Sequence, residues 1–530
     1  VLLGLAGGIA NGLAAGALIA LIHRAVSAEP AGSGAPPRLV WAYAALCLFV
    51  PLSRAGAELA LAALGQRAVL DLRLELAERI LRAPLRQLEE LGAPRLTALL
   101  TQDVATLGQA AVALPALATQ LTAVLGGFAY LAWVSAPVAL LIGAFTLAGV
   151  WSYRRVLARG ARWFEESRRE QDALHGHFRA LTGGTKELKL HAPRRRAFLA
   201  EALAPTAGAF RRANLGAAWT YHGAASWTSL LFFLLLGVLT LLLPRLPGLP
   251  GASREAFAGS ALVLLFILLP LRTLVGGLPL LGAAEVAVRR LQEVGVELAP
   301  EPGSGPAPPP AAWERLELRG VEHAYRGEGG EEGFRLGPVD LVFRRGEVTF
   351  LVGGNGSGKT TLAKLIAGLY VPDAGEVRLD GVPVSEAGRE TYRQMFSAVF
   401  WDFFLFESLL GLEPGEGEAE RGLDRLGLAG KVSIRAGRLS TTALSAGQRR
   451  RVALLVAWLE DRLVQVFDEW AADQDPGFKE VFYRELLPEL KARGRTVFVV
   501  THDDRYFAAA DRVVELAEGR VVSDMLSPDP

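Results

Sequence analysis

Gly353-Gly354-Asn355-Gly356-Ser357-Gly358-Lys359-Thr360 decides the fold because of what stands on either side of it. Upstream runs the apolar, β-rich Val348-Thr349-Phe350-Leu351-Val352, and downstream the helix-like Thr361-Leu362-Ala363-Lys364-Leu365-Ile366-Ala367. A strand, a glycine-rich loop of the form GxxxxGK[ST] and a helix, in that order, make a phosphate cradle. The glycines let backbone N–H groups turn inward toward phosphate oxygens, and the helix N-terminus adds its dipole. Gly353, Asn355, Gly356, Ser357, Gly358 and Thr361 build the cradle, Lys359 reaches the terminal phosphates, and Thr360 offers its hydroxyl to Mg²⁺.

Further along, Leu463-Val464-Gln465-Val466-Phe467-Asp468-Glu469 reads as a buried strand ending in two carboxylates. Asp468 would hold Mg²⁺ through water and Glu469 would polarise an attacking water, so one side chain serves the metal and the other the nucleophile. Short apolar runs at Glu347 to Gly353, Val464 to Phe467, Thr496 to Val500 and Arg512 to Glu515 alternate with amphipathic segments, the pattern of an α/β domain. That pattern starts after APEPGSGPAPPPAA, Ala299 to Ala312, whose Pro and Gly content excludes helix and central strand and makes a semi-stiff spacer. The expected organisation is a membrane domain over 1–298, a linker over 299–312 and an α/β domain over 313–530.

The membrane reading comes from hydropathy. The 530 residues are 51% hydrophobic, and Val104 to Tyr153 contains no Asp, Glu, Lys or Arg. A helix crosses the hydrocarbon core with about 20 residues, so this block holds two spans, turning at Ser135-Ala136-Pro137. Val1 to Ile22, Leu39 to Leu64, Ala213 to Pro244 and Ala256 to Gly282 complete six. Arg67 to Asp103 carries six Arg and Arg154 to Arg212 carries fourteen Lys or Arg, against four Arg in the opposite loops (Arg24, Arg38, Arg245 and Arg254). Positive charge gathers on the cytoplasmic side, which places both long loops and both termini inside. Helix-like patterning predicts that the spans continue as rods beyond the bilayer.

With 56 basic and 55 acidic side chains the chain is no polyelectrolyte, so nucleic acid is excluded as the main partner. One cysteine, Cys47, excludes an intramolecular disulfide and is read as a packing residue. Arg54, Glu58, His222 and Arg272 are the ionisable groups inside spans; they either face a water-filled interior or snorkel without a specific role, or they touch cargo.

Leu444-Ser445-Ala446-Gly447-Gln448, followed by the basic-apolar helix RRRVALLVAWL, resembles the signature motif of ABC-transporter ATPases. The resemblance extends over the soluble half, with Tyr325 where that family stacks an aromatic on adenine, Asp475 at the D-loop and His502 at the switch position after a strand. It implies a type I ABC exporter-like fold: a six-helix, all-α transmembrane domain followed by an α/β P-loop ABC ATPase domain. It also implies ATP and Mg²⁺ as cofactors, catalytic roles for Glu469 and His502, and nucleotide contacts from Ser445, Gly447 and Gln448. Residues matching Ser445 and Gly447 reach the γ-phosphate held by the other subunit, which implies a homodimeric half-transporter in the bacterial inner membrane. Segments near Leu88 to Ala98 and Gly183 to Leu190 would be its coupling helices.

Gly183 to Leu199, GGTKELKLHAPRRRAFL, and the Trp470-Ala471-Ala472-Asp473-Gln474-Asp475 run look like the cyclic-peptide and siderophore-peptide exporter branch, which handles syringomycin-, pyoverdine- and microcin-type products. A peptide-like cargo is therefore implied, with a lipid or lipid-linked-glycan flippase and a membrane-tethered regulatory ATPase as alternatives. Two positions depart from the family pattern. Trp401 stands where many members have Gln, and an indole has no acceptor for metal or water; Ala446 adds a methyl where Gly is common.

Overall fold

The computed structural model describes residues 37–242, 254–297, 312–326, 332–415 and 417–526, with isolated positions 14, 17, 18, 21, 22, 245, 301 and 310. Most of the expected first span and most of the Pro- and Gly-rich linker lie outside the described residues, as does the Arg54 side chain. The N-terminal half is helical: α1 (Pro37–Arg82), α2 (Leu85–Leu91), α3 (Ala93–Val134), α4 (Ala136–Gly183), α5 (Thr185–Leu190), α6 (Ala192–Leu242) and α7 (Arg254–Glu297). Among the described residues five of these are long and apolar enough to cross a membrane. The 48 residues of α4 extend about 70 Å at 1.5 Å per residue, twice the hydrocarbon thickness, so the rods do outrun a bilayer.

Ser135 separates α3 from α4 in an extended backbone conformation, as the Ser-Ala-Pro turn signal requires. Packing between α4 and α6 depends on reciprocal small residues. A Cβ on Gly160 would sit 2.1 Å from Thr220, and one on Gly216 would sit 2.6 Å from Trp163. Helices in lipid gain little from hydrophobicity against each other, so close backbone approach at glycine is what holds such pairs. Cys47, expected to pack, is exposed on α1 beside Leu48, Phe49 and Leu52. A helix face this apolar that no described residue covers suits lipid or another chain, and a small thiol belongs on it as readily as in a core.

The C-terminal half contains β1 (Arg315–Arg326), β2 (Glu332–Arg344), β3 (Val348–Gly353), α8 (Lys359–Ile366), β4 (Ala374–Leu379), β5 (Val382–Pro383), α9 (Arg389–Arg393), β6 (Phe396–Val399) and α10 (Glu418–Arg425). After a two-residue ribbon, β7 (Ile434–Arg435) and β8 (Arg438–Leu439), come α11 (Ala446–Glu460), β9 (Val464–Asp468), α12 (Pro476–Val481), α13 (Leu487–Ala492), β10 (Thr496–Val500), β11 (Arg512–Ala517) and β12 (Arg520–Leu526). The six-stranded sheet runs β12-β11-β3-β10-β9-β6, parallel except for β12, and an antiparallel sheet runs β2-β1-β4-β5. Strands β3, β9 and β10 are buried nearly throughout, which is why they read as continuous apolar runs. The antiparallel sheet was not legible from those runs, because its strands alternate buried with exposed residues.

By spatial contact the chain forms two units, Val1–Leu76 with Thr97–Glu293, and Ala77–Leu96 with Val294–Pro530. The short loop carrying α2 thus belongs with the α/β half, although it lies far from it in sequence.

Candidate functional site

Strand order brings the site together. β10 lies between β3 and β9, with Val500 registered against Leu351 on one side and Asp468 on the other. The C-terminal ends of parallel strands are where α/β sheets bind ligands. Here those ends deliver the glycine loop, the two carboxylates and His502 to one edge.

In the loop, Gly353 has φ 139° and a Cβ there would lie 2.0 Å from the Leu516 carbonyl; no other residue fits. Gly358 has φ 100° and abuts Leu336 and Phe334, starting α8 with its amides open. A pocket of about 530 Å³ forms between Tyr325, Asn355, Lys359, Thr360, Trp401 and Glu469, and Gly356, Gly358, Thr361 and Phe334 also line it. Lys359 is buried, and its Nζ donates to Gly353 O at 3.0 Å and Gly354 O at 2.8 Å. Burial lowers its pKa, opposed by the charges of Glu469 and Asp468.

Asp468 is wholly buried, and Thr360 Oγ1 donates to its Oδ1 at 3.3 Å. Burial pushes its carboxyl up to about 6, opposed by hydrogen bonds from the Thr360 hydroxyl and the Trp401 amide and reinforced by Glu469 and Asp402. Its Oδ2 and the Ser357 hydroxyl are buried without a protein partner. An orphaned carboxylate oxygen and two hydroxyls fit a hard cation that keeps several waters and takes most ligands from phosphate. Among the described residues no cluster of three His, Cys, Asp or Glu could hold a metal by itself.

Glu469 leaves the strand in a left-handed conformation, φ 49°, a costly geometry for a side-chain-bearing residue that turns its carboxylate off the strand line. Its Oε1 is 3.1 Å from His502 Nε2, and both side chains remain partly exposed. The adjacent carboxylates thus diverge, Asp468 inward and Glu469 toward the pocket.

Ser445, Gly447, Gln448 and Asp475 do not line that pocket. Ser445 caps α11: its Oγ accepts from the Gln448 amide at 3.3 Å, while the Gln448 side chain accepts from the Ser445 amide at 3.1 Å. Asp475 caps α12, accepting from Phe478 N at 3.0 Å, and that backbone bond is the main cause of its lowered pKa. Gln474 donates to Gly447 O at 3.1 Å and Arg451 donates to Gln474 and Asp475, so the signature and D-loop segments form one surface. A Cβ on Gly447 would approach Asp473 O at 3.1 Å, which the glycine avoids.

Three features were not read from the sequence. Trp470 is buried and its indole donates to Arg450 O at 2.8 Å, while Arg450 Nη1 donates to Glu469 O at 2.6 Å. Phe334 lines the pocket beside Gly358, and the in-out alternation of β2 was the only signal for it. Finally, α2 meets the region around Tyr325. Arg86 donates to Asp373 at 2.8 Å and to Ala324 O at 3.0 Å; Glu89 takes hydrogen bonds from Lys364 at 2.8 Å and from the Tyr370 hydroxyl. The Tyr325 hydroxyl in turn lies 3.4 Å from that of Tyr370 and 3.1 Å from Thr361 Oγ1. These residues are too far apart in sequence for spacing to link them.

Residues 1–175 match the model described as ABC transporter transmembrane region, and residues 336–472 match the model described as ABC transporter. The chain is 37% identical to the ATP-binding protein SyrD of Pseudomonas syringae pv. syringae, over 98% of this chain and 93% of that protein. It is 28% identical to an ATP-dependent lipid A-core flippase of Alkalilimnicola ehrlichii, over 92% of this chain and 84% of that one. The pyoverdine export ATP-binding/permease protein PvdT of Pseudomonas syringae pv. tomato is 32% identical over 39% of this chain and 34% of its own length. Among solved structures, a bacterial Atm1-family ABC exporter with ATP bound superposes with a TM-score of 0.76 at 18% identity, covering 99% of this chain and 94% of that one.

Proposed function

The chain belongs to the ABC transporter family and is an ATP-driven, multi-pass membrane exporter; from that premise we propose that two copies of it export a cyclic or modified peptide, of siderophore, lipopeptide or microcin-like kind, across the bacterial inner membrane. The separation of the signature surface from the phosphate pocket carries the dimer. Ser445 and Gly447 lie outside the pocket that Lys359, Thr360 and Glu469 line, which supports a second chain bringing its own signature to each nucleotide. Similarity to the pyoverdine export protein PvdT and to the probable syringafactin export protein SyfD, over 39% and 40% of this chain, supports the cargo class.

In the proposed site Tyr325 stacks on adenine, the amides from Gly353 to Thr361 cradle the phosphates, and Lys359 swings from its two backbone carbonyls onto the terminal oxygens. Thr360 and Asp468, the latter through water, would hold Mg²⁺, which supplies charge neutralisation on the transferring phosphoryl group. Glu469 orients the attacking water and accepts its developing proton, and His502 fixes the carboxylate from 3.1 Å. Asp475 and Gln474 hold the signature segment in register with the strand end. Trp401 leaves the site without the family's Gln acceptor, which slows turnover without removing any of these groups. Binding of two nucleotides closes the dimer and turns the spans outward, and hydrolysis resets them.

Similarity to a lipid A-core flippase over 92% of the chain favours a second reading, an amphiphilic lipid as cargo. ATPase rates of the purified protein in lipid, wild type and Glu469→Gln, separate the two when cyclic peptides, peptidic siderophores and lipid A are added in turn. The proposal requires stimulation by a peptide that the mutant lacks; stimulation by lipid A alone would replace it.

A further inference from the structure

Spans α3, α4, α6 and α7 enclose a cavity of about 150 Å³, walled by Phe145, Tyr153, Tyr221, Phe232 and Leu268 among others. A recess of that size takes a group as large as benzene, so it accommodates one side group of a cargo and not a whole peptide. Arg272 is the one charged residue among those lining it. Among the described residues it has no hydrogen bond and no ion pair. A guanidinium near the middle of a span is expensive in hydrocarbon and is kept where it has an anionic partner or water to meet.

The helix runs unbroken through this stretch but carries two prolines. Pro270 and Pro279 lie inside α7 and cannot donate to the carbonyls of Phe266 and Val275, and Gly276 and Gly277 stand between them. A proline inside a span leaves a backbone carbonyl without its helical donor, and neighbouring helices, hydroxyl side chains or water near a cavity take it up. A lone cation, two carbonyls without their helical donor and an apolar recess therefore converge on one stretch of one helix.

We propose that this cavity is a selectivity subsite, in which Arg272 pairs with an anionic group of the exported molecule while a neighbouring apolar side group fills the recess. The cargo is then an amphiphile carrying a carboxylate or a comparable anion beside its acyl or aromatic part. The assignment rests on the export reading above and deepens it. An acidic phospholipid offers the same chemistry, so the experiment must separate it from cargo.

The test uses the full chain in phosphatidylcholine vesicles with the ATPase facing out. The probes are a fluorescent N-dodecanoyl cyclic peptide with a single glutamate and its glutamine twin. Wild type is expected to accumulate the glutamate form about tenfold more, an advantage of ~1.4 kcal/mol. Arg272→Gln should accumulate both alike, and Arg272→Lys should keep part of the preference, which a merely structural role would not produce. Equal accumulation by wild type, or an undiminished preference in Arg272→Gln, overturns the proposal. A preference that vanishes when phosphatidylglycerol is added gives Arg272 to lipid and also overturns it. ATP hydrolysis with neither probe crossing instead removes the peptide-export reading, and this assignment falls with it.

Discussion

The indole of Trp470 donates to the carbonyl of Arg450 at 2.8 Å, joining the turn after β9 to the signature helix α11. Arg450 returns the connection by donating to Glu469 O at 2.6 Å, and Trp470 stacks near Phe482 at 4.6 Å between centroids. The residue following the proposed water-orienting carboxylate is thus tied to the helix whose N-terminus carries Ser445. Trp470→Phe removes the indole hydrogen bond and also trims a fully buried ring, so the lost bond and the cavity together cost roughly 2–4 kcal/mol. Thermal unfolding should register that loss, and steady-state kinetics should show kcat reduced several-fold with the ATP KM nearly unchanged.

Glu469→Gln should retain ATP binding and lose turnover by on the order of 100-fold or more, because the amide cannot accept the proton. His502→Ala should lose less, since the carboxylate remains and only its orientation relaxes. Fluorescent-nucleotide binding alongside phosphate release separates the two effects; equal losses in both variants would place the proton-accepting role on His502.

The proposed two-chain site predicts complementation. Lys359→Ala disables the phosphate loop and Ser445→Arg disables the signature, so each homodimer should be inactive. Mixed dimers carry one intact pairing, and co-reconstituted protein should recover measurable ATPase activity. No recovery in any ratio would contradict a composite site.

The contacts from α2 predict a long-range effect on nucleotide binding. Tyr370→Phe removes the hydroxyl that links Glu89 to the Tyr325 hydroxyl while leaving the ring stacked 4.8 Å from His323. The ATP KM should rise a few-fold, and cargo stimulation should weaken. Glu89→Gln should do the same to a smaller degree, measured as ATPase rate against ATP with and without cargo.

His323 gives a pH dependence. Burial lowers its pKa below the ordinary 6.5, with Asp373 opposing and Arg86 adding to the shift. The folded state then binds fewer protons than the unfolded one, so its contribution is complete above about 6.5 and declines as pH falls toward the folded pKa. The melting temperature should drop between pH 7.5 and 5.5 by more in wild type than in His323→Phe. An equal drop would assign the acid sensitivity elsewhere.

Much of this was legible from the residues. The glycine loop, the Asp468-Glu469 pair and the apolar runs of β3, β9 and β10 are local signals, and the structure places them at one sheet edge as their order implies. The helical turn at Ser135 was equally local. The links from Arg86 and Glu89 to Asp373 and Tyr370 cross more than 250 positions of sequence, and no periodicity connects them. Trp470 was visible as an unusual residue, but its hydrogen bond to Arg450 depends on how α11 packs beside β9. Cys47 was misread because an apolar helix looks the same from sequence whether its face meets protein or lipid.

ATP-driven accumulation of a labelled cyclic lipopeptide in sealed vesicles, with the ATPase halves outside, tests the central claim most directly. The account predicts accumulation by wild type that requires ATP and Mg²⁺ and is absent in Glu469→Gln. Vigorous ATP hydrolysis with no peptide entering the vesicles would contradict it.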